Sequence, residues 1–250
     1  MSASTRLLAV VLGVGLSVAA SAADLTVSAA ASLTNAFNDL APQFEAANPG
    51  IRLQYNFAAS GALLQQIAKG APVDAFASAD QETMNQAQAQ DLVLAVQRRN
   101  FASNALVVIV PASSTSVPKV LGDLAQGGFQ RIAIGLPASV PVGRYTKGVL
   151  EAAGLWGAIE PKMIGANSVR QALDYVARAE VDAGFVYATD AALMPGKVKV
   201  AFAVPTATPI LYPAAPLAKS ANPALAQRFV EFLVSPSAQA VLAKHGFGKP

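Results

Sequence analysis

The sequence predicts an α/β fold with mainly parallel strand pairing. Short β-like runs alternate along the chain with segments of helical periodicity, an order typical of parallel sheets covered by helices. Hydrophobic residues make up 53% of the 250 residues, so the chain has enough apolar surface for one large domain or two small ones. Strands are expected at Leu25–Val27, Ile51–Phe57, Ala75–Ser78, Leu106–Val110, Arg131–Gly135, Ala183–Tyr187, Val198–Val204 and Leu211–Leu217.

Helices are expected between these strands, wherever apolar residues recur at every third or fourth position. In the first helix this stripe consists of Leu33, Phe37, Leu40 and Phe44. Pro42 removes one N–H group from the same helix and crowds the carbonyl group four residues earlier, so we expect a kink or an early end there. The predicted helices are Leu33–Ala46, Ala62–Lys69, Gln81–Gln88, Tyr145–Ala153, Val169–Arg178, Pro223–Leu233 and Pro236–Lys244.

Two segments divide the chain into two predicted lobes. Residues 98–104 are polar and directly precede a strand, and residues 205–209 are rich in proline and threonine. If the chain leaves one lobe at the first segment and returns at the second, one lobe comprises residues 24–102 plus 209–250. The other lobe then comprises residues 103–208. A ligand-binding cleft is expected between them.

The N-terminal segment 1–23 has the features of a secretory signal peptide. Arg6 is followed by the apolar run 7–20 and then by small residues at the expected cleavage site. Glycines interrupt this run, which is shorter than the roughly 20 residues of a membrane span, so we expect cleavage rather than a permanent anchor. The mature chain is expected to begin near Ala23 or Asp24 and to reside in the periplasm.

The composition excludes several classes of function. The chain contains no cysteine, which rules out disulfides, cysteine nucleophiles, thiolate metal sites and an acylated cysteine at the processed N-terminus. The formal net charge is +3, and it becomes +2 when Arg6 is removed with the signal segment. Charged residues are scattered rather than clustered, so we expect no nucleic-acid partner.

Catalytic and metal-binding patterns are poorly represented in the sequence. The single histidine, His245, lies near the C-terminus, and there is no Gly-x-Ser-x-Gly motif. A serine hydrolase would need this histidine to reach a distant serine such as Ser32 or Ser60. Asp74 and Asp80 flank a short strand, where turn and helix-start roles are more common than acid/base catalysis. We therefore expect no enzymatic activity and no metal site built from protein side chains.

Four strand-to-helix turns share the features of an anion-binding site. They leave backbone N–H groups bare at a helix start, where the helix dipole favours negative charge. Ligands bind at the carboxyl ends of the strands in open α/β sheets, so the four turns could form one convergent set of donors. The turns lie at Ala29–Asn35, Phe57–Gly61, Pro137–Tyr145 and Gly165–Arg170.

Each of these features also has an ordinary structural explanation. Ser60 is expected to cap the second helix, and Asn167 or Ser168 is expected to cap the helix that begins at Val169. Any helix start looks like this, so a single such turn is more often structural than functional. Tyr187 ends a strand, and the strand pattern alone favours a half-buried side chain with its hydroxyl in water.

Four motifs are specific enough to suggest a family. They are AAASLTNA at 29–36, GAPVDAFASADQ at 70–81, GFVY at 184–187 and HGF at 245–247. In this order they resemble the periplasmic molybdate-binding proteins of ABC importers, over essentially the whole mature chain. The resemblance implies the type II periplasmic binding fold: two α/β lobes with mixed, mainly parallel sheets, joined by two crossover segments, that close on a tetrahedral oxyanion.

The resemblance also implies a binding site of five residues. The serines of the first two turns correspond to Ser32 and Ser60 in this sequence. The backbone N–H donors correspond to Val142 and Val169. The tyrosine corresponds to Tyr187. The implied partners are a molybdate or tungstate ion and an inner-membrane ABC permease, the implied protein is a monomer, and no cofactor is required.

The chemistry of the ligand agrees with this set of residues. Molybdate and tungstate are fully deprotonated near neutral pH, so they only accept hydrogen bonds, and neutral hydroxyl and N–H donors suit them. Molybdenum would be present only within the oxyanion, without direct protein ligands. Leu136 departs from the family, because it replaces the more usual Asp beside the third turn. Sulfate or another tetrahedral oxyanion is the alternative ligand, and a secreted serine hydrolase is the remaining alternative function.

Overall fold

Ten strands form two five-stranded sheets in the computed structural model, which describes residues 23–250. The predicted signal peptide, apart from its last position, lies outside the described residues. The strands are β1 (Ala23–Ala30), β2 (Ile51–Ala58), β3 (Ala75–Ala77), β4 (Arg99–Asn104), β5 (Leu106–Pro111), β6 (Ile132–Gly135), β7 (Met163–Ala166), β8 (Ala183–Tyr187), β9 (Val198–Val204) and β10 (Ile210–Pro216).

Helices cover both sheets. They are α1 (Thr34–Ala47), α2 (Ser60–Ala68), α3 (Gln81–Ala89), α4 (Pro141–Ala152), α5 (Trp156–Ile159), α6 (Val169–Ala177), α7 (Ala188–Ala191), α8 (Pro223–Leu233) and α9 (Pro236–Lys244). Helices α1, α2, α3, α8 and α9 pack around the first sheet, and α4 to α7 pack around the second. We call each sheet with its helices a lobe. Within the described residues, no helix combines the length and apolar character needed to cross a membrane.

The two sheets have the same pattern of strand directions. The first has the order β2-β1-β3-β10-β4, and the second has the order β7-β6-β8-β5-β9. In each sheet two neighbouring pairs are parallel and two are antiparallel. The predicted mixed α/β architecture is confirmed, with antiparallel pairs as frequent as parallel ones rather than in the minority. The reason is that β5 and β10, by which the chain enters each sheet after a crossing, run opposite to both neighbours.

The chain passes between the lobes twice. It leaves the first sheet after β4, enters the second at β5, and returns through residues 205–209 between β9 and β10. Of the segment 98–104, expected to be a crossing, residues 99–104 instead form strand β4 at the edge of the first sheet, where it pairs with β10. An edge strand tolerates polar residues on its open side, while Phe101 and Ala102 are buried. The residue ranges given for the two lobes stay a prediction.

Helix α1 continues through Pro42 to its last residue, Ala47, so the helix does not end early. Its inner face carries Phe37, Leu40 and Phe44, all of which are buried. A proline inside a helix costs about 3 kcal/mol, whereas each fully buried apolar side chain of this size contributes about 1.5–3 kcal/mol. The packing of the apolar face therefore outweighs the lost hydrogen bond.

Candidate functional site

All five residues predicted for the ligand site line one small cavity between the lobes. The cavity is small, with a volume of about 10 Å³. Ser32 and Ser60 reach it from the first lobe, and Val142, Val169 and Tyr187 reach it from the second. Each of them lies at the carboxyl end of a strand or in the segment that follows it, where ligands bind in α/β folds. The other lining residues are Ala30, Ala31, Ala59, Ala79, Val140 and Pro141.

Ser32 is placed by the turn between β1 and α1. Residues 31–33 form a single turn of 3-10 helix, and Ser32 is buried. Its Oγ lies 3.0 Å from the Oη of Tyr212 on β10. Asn104, at the end of β4, donates from Nδ2 to the same tyrosine oxygen over 3.2 Å. The serine hydroxyl is therefore held by the interior of the first lobe on one side while it faces the cavity on the other.

Ser60 is the first residue of α2. The expectation that it caps this helix is wrong, because Ala59 occupies the cap position. The Ser60 Oγ accepts a hydrogen bond from the backbone N–H of Ala79 at 3.0 Å, and the side chain is fully buried. An N–H group can only donate, so the hydroxyl hydrogen of Ser60 is available to an acceptor in the cavity.

The backbone N–H groups of Val142 and Val169 lie at helix starts. Val142 follows Pro141, the first residue of α4, and Val169 is the first residue of α6. Such N–H groups have no partner within their own helix. Among residues 23–250, neither group donates to another acceptor. Ser168 caps α6 by accepting from the N–H of Gln171, as predicted for this turn, which leaves the N–H of Val169 available.

Tyr187 ends β8 inside the molecule. Only 1% of the residue is exposed, so the interpretation that places its hydroxyl in water is wrong. The Oη lies 3.5 Å from the carbonyl oxygen of Ala79, a distance at the weak limit of hydrogen bonding, so the hydroxyl can turn to a better acceptor. Burial raises the pKa of Tyr187 above its usual value, and the hydroxyl therefore keeps its proton at neutral pH.

Positive potential in the cavity comes from peptide groups. In the described part of the chain, no charged side chain lines the cavity. The starts of three helices, α2, α4 and α6, contribute lining residues, and a helix start carries partial positive charge. Two arginines follow in α4 and α6, but each pairs with a carboxylate: Arg144 lies 2.7 Å from Asp80, and Arg170 lies 2.6 Å from Asp190. The cavity is therefore lined by uncharged residues and by the starts of three helices.

The same two arginines connect the lobes on either side of the cavity. Arg144 of the second lobe donates to the Thr83 hydroxyl of the first lobe at 2.6 Å. Arg170 donates to the side-chain oxygen of Asn35 at 2.8 Å and to the carbonyl oxygen of Ser32 at 3.2 Å. The lobes are thus in contact around the cavity, as expected for two lobes that close over a ligand.

Asp190 is the most strongly buried acidic group near the site. Asp190 is 0% exposed, and one of its carboxylate oxygens pairs with Arg170. The other oxygen, Oδ2, has no hydrogen-bond partner among the described residues. Burial raises the pKa of Asp190 to about 6, although Arg170 acts in the opposite direction. Folding therefore holds this carboxyl group in an environment that disfavours its charge.

A larger groove of about 1230 Å³ lies elsewhere between the lobes, lined in part by α4, β9 and residues 205–209. Its surface is mostly apolar, although charged side chains such as Glu82 and Lys119 contribute to it, and it contains none of the five predicted site residues. The groove lacks the convergent donors of the small cavity. Size alone therefore does not identify the ligand site in this protein.

Sequence reasoning missed Tyr212 and Asn104, which support the site from behind. Ser32 and Tyr212 are 180 positions apart, so no local pattern connects them. A signal was available in principle, since a tyrosine within a strand of the core needs a partner for its hydroxyl. His245 donates from Nε2 to the carboxylate of Asp39 at 2.8 Å and does not line the cavity. Residues 23–250 contain no cluster of three or more His, Asp or Glu side chains suited to a metal ion.

Comparisons with known proteins identify relatives along most of the chain. A family model described as bacterial extracellular solute-binding protein matches residues 25–248. The molybdate-binding protein ModA of Escherichia coli (strain K12) is 36% identical over 230 residues, which cover 89% of this chain and 88% of the relative.

Solved structures resemble the fold closely. The Azotobacter vinelandii periplasmic molybdate-binding protein has a TM-score of 0.78 and 29% identity, and the match covers 90% of this chain and 99% of that one. The sulfate-binding protein SubI from Mycobacterium tuberculosis H37Rv has a TM-score of 0.77 at 20% identity, covering 90% of this chain and 86% of SubI. The second likeness concerns the fold alone.

Proposed function

Because this chain belongs to the family of bacterial extracellular solute-binding proteins, we propose that it captures molybdate in the cavity between its lobes. Membership of that family makes the chain a binding protein rather than an enzyme, and the serine hydrolase alternative is set aside on this ground. The observation that carries the proposal is the lining of the cavity. Hydroxyl and N–H donors converge there, and no charged side chain of the described residues joins them.

This lining suits an anion that carries no proton. Molybdate has four oxygens that can only accept hydrogen bonds, and tungstate has the same form and charge. The hydroxyls of Ser32, Ser60 and Tyr187, with the N–H groups of Val142 and Val169, provide at least one donor for each oxygen. A buried charge is tolerated when its hydrogen-bonding capacity is satisfied and fixed dipoles oppose its charge. We assign these five groups to the bound oxyanion.

The relatives support the ligand and the biological role. The E. coli relative and the A. vinelandii structure are both named for molybdate binding, and both align with nearly the whole described chain. The proposed protein is exported to the periplasm, acts as a monomer and delivers its ligand to an ABC permease of the inner membrane. No cofactor takes part, because binding requires only the donors and the contact between the lobes.

Sulfate is the alternative ligand, because the uncharged lining of the cavity suits it equally. The sulfate-binding protein SubI shares the fold, and sulfate makes the same demand for donors without acceptors. The two anions differ chiefly in size, so the position of the donors must discriminate between them. Phosphate differs in chemistry, because it retains a proton near neutral pH and would need an acceptor in the cavity.

A thermal-unfolding panel tests the proposal. Protein refolded from denaturant, to remove any ligand that was co-purified, is heated alone and with molybdate, tungstate, sulfate or phosphate. A ligand at about 100 times its dissociation constant adds about 2.7 kcal/mol to the free energy of unfolding, which raises Tm by several degrees.

The panel separates the candidates. We expect a rise of Tm with molybdate and tungstate and no change with phosphate. A rise with sulfate alone would establish the alternative ligand. No rise with any of the four anions would contradict the assignment of the cavity to a tetrahedral oxyanion.

A further inference from the structure

We propose that Tyr212 and Asn104 are positioning residues that direct the hydroxyl hydrogen of Ser32 toward the bound anion. The inference rests on the proposed function, since it assumes that an anion occupies the cavity. Neither residue lines the cavity, so both would act through Ser32 rather than by contact with the ligand.

The orientation of the Asn104 amide is fixed by the backbone. Its Oδ1 accepts from the N–H of Ala105 at 2.9 Å, so the amide oxygen must face that N–H group. The amide nitrogen then faces two hydroxyls, those of Tyr212 at 3.2 Å and Thr189 at 2.9 Å. An amide nitrogen has two hydrogens and only donates. The oxygen of Tyr212 is therefore an acceptor toward Asn104.

The hydroxyl hydrogen of Tyr212 must consequently go to another group. Within the described chain its hydroxyl has only two partners, Asn104 and Ser32. Asn104 cannot accept through its nitrogen, which leaves the Ser32 Oγ at 3.0 Å as the acceptor. Tyr212 is 0% exposed, and an unsatisfied buried hydroxyl is costly. An arrangement in which Ser32 donates to Tyr212 is therefore disfavoured, because it would leave the tyrosine hydrogen without an acceptor. Burial also raises the pKa of Tyr212 above its usual value, so the hydroxyl keeps its hydrogen.

Ser32 then accepts from inside the lobe and has its own hydrogen left for the cavity. Ser60 is in the same condition, because the N–H of Ala79 donates to its Oγ at 3.0 Å. The hydroxyls of the two serines thus point their hydrogens the same way, toward the cavity, but different groups fix this direction. A backbone N–H group fixes it for Ser60, whereas two side chains outside the cavity fix it for Ser32. Substitutions can therefore reverse or remove the polarity of Ser32 without altering any lining residue.

A double-mutant cycle between Tyr212 and Ser32 tests the inference. Tyr212→Phe keeps the aromatic ring, which packs against Phe101 and Phe247, and removes only the hydroxyl. We expect it to weaken molybdate binding roughly three- to tenfold, the effect of losing the orientation of one hydrogen bond. In a Ser32→Ala background the same substitution should have almost no effect. Isothermal titration with molybdate gives the four dissociation constants.

The outcomes distinguish this inference from the proposed function. If wild type fails to bind molybdate, the proposed function is wrong. If wild type binds and Ser32→Ala weakens binding, but Tyr212→Phe has no effect or an equal effect in both backgrounds, only the positioning role is wrong. The Tm of each variant without ligand checks that the fold is intact.

Asn104→Asp provides a second, directional test. The ionised carboxylate only accepts, so Tyr212 would donate to residue 104 and present its oxygen to Ser32, whose hydrogen would then turn away from the cavity. We expect the loss of molybdate affinity to be at least several-fold larger in wild type than in a Tyr212→Phe background. The added negative charge is present in both backgrounds, so an equal loss in both would show that charge alone is responsible and would overturn the inference.

Discussion

At the scale of single residues, the function of a hydroxyl depends on the group behind it. Ser32 and Ser60 each accept a hydrogen bond from within the first lobe, from Tyr212 and from the N–H of Ala79. A hydroxyl that already accepts is left with a hydrogen to donate. This arrangement makes both serines suitable donors to an anion that cannot itself donate.

Ser32→Ala and Ser60→Ala should each weaken molybdate binding by about 1–3 kcal/mol, since each removes a donor to a buried charge. Titration calorimetry measures the change. Ser28→Ala is the matched control, because Ser28 is a fully buried serine on β1 whose hydroxyl has no partner in the described structure and does not line the cavity. Unchanged affinity in both site variants, or an equal loss in the control, would contradict the assignment.

The residues of the cavity were only partly accessible to sequence reasoning. The turns that contain Ser32 and Ser60 have a recognisable local pattern, a polar residue between a strand and a helical stripe. Val142 and Val169 act through backbone groups, so their side chains carry no signal, and the resemblance to a family was needed to single them out. Tyr212 and Asn104 are joined to Ser32 by tertiary contacts alone, which no local pattern records.

At the scale of elements, the position of the donors depends on close packing beneath a helix start. A Cβ atom added to Gly143 on α4 would lie 1.9 Å from the carbonyl oxygen of Gly135 at the end of β6. The absence of a side chain therefore allows α4 to approach the sheet. Val142, the preceding residue, lines the cavity and is positioned by this approach.

Gly143→Ala should displace the start of α4 and weaken molybdate binding by at least tenfold, with a lower Tm, because a methyl group cannot share space with backbone. Gly148→Ala on the same helix is the control. No atom lies within 4 Å of the methyl group it would add, so it should leave affinity unchanged and stabilise the helix by about 0.5–1 kcal/mol. Full affinity in Gly143→Ala would show that this contact does not position the site.

The two strands that sequence patterns missed have weak apolar patterns. Strands β4 and β7 are only six and four residues long, and only part of each is buried. Helix α4 begins four residues earlier than predicted, at Pro141. Proline is common at the first position of a helix, because its missing N–H group would have no partner there. By contrast, β8, β9, α8 and α9 have the predicted bounds, because their apolar periodicity extends to both ends.

At the scale of the whole molecule, the site exists only where the two lobes meet. Arg170 illustrates the connection: it pairs with Asp190 in its own lobe and donates to Asn35 of the other lobe. The alternation of strands and helices was sufficient to predict an α/β fold. The convergence of four turns on one cavity depends on how the lobes pack, and no periodicity within a segment specifies that packing.

Asp190 makes the stability of the molecule depend on pH. An aspartate carboxyl group ordinarily has a pKa of 3.8, and burial raises the pKa of Asp190 to about 6 in the folded protein. Between these two pH values the folded state therefore binds a proton more tightly than the unfolded state does. The free energy of unfolding therefore falls as pH rises through that window, by an amount on the order of 3 kcal/mol for this group. Asp190→Asn cannot titrate and should lack this decline.

Chemical denaturation at a series of pH values measures the effect. Other carboxyl groups contribute equally to both proteins, so the informative quantity is the difference between wild type and Asp190→Asn. We expect the variant to gain stability relative to wild type as the pH is raised from about 4 to 6, with little further change above that. A difference that stays constant, or that changes in the opposite direction, would refute the role assigned to buried Asp190.

The central claim is that neutral donors from both lobes hold molybdate in the small cavity. A crystal structure of the molybdate-loaded protein, with anomalous data collected at the molybdenum absorption edge, tests it most directly. We predict one strong anomalous peak in the cavity, with the oxygens around it within hydrogen-bond distance of the hydroxyls of Ser32 and Ser60 and the N–H groups of Val142 and Val169. A peak elsewhere, or a molybdenum atom bonded directly to a protein side chain, would contradict the account.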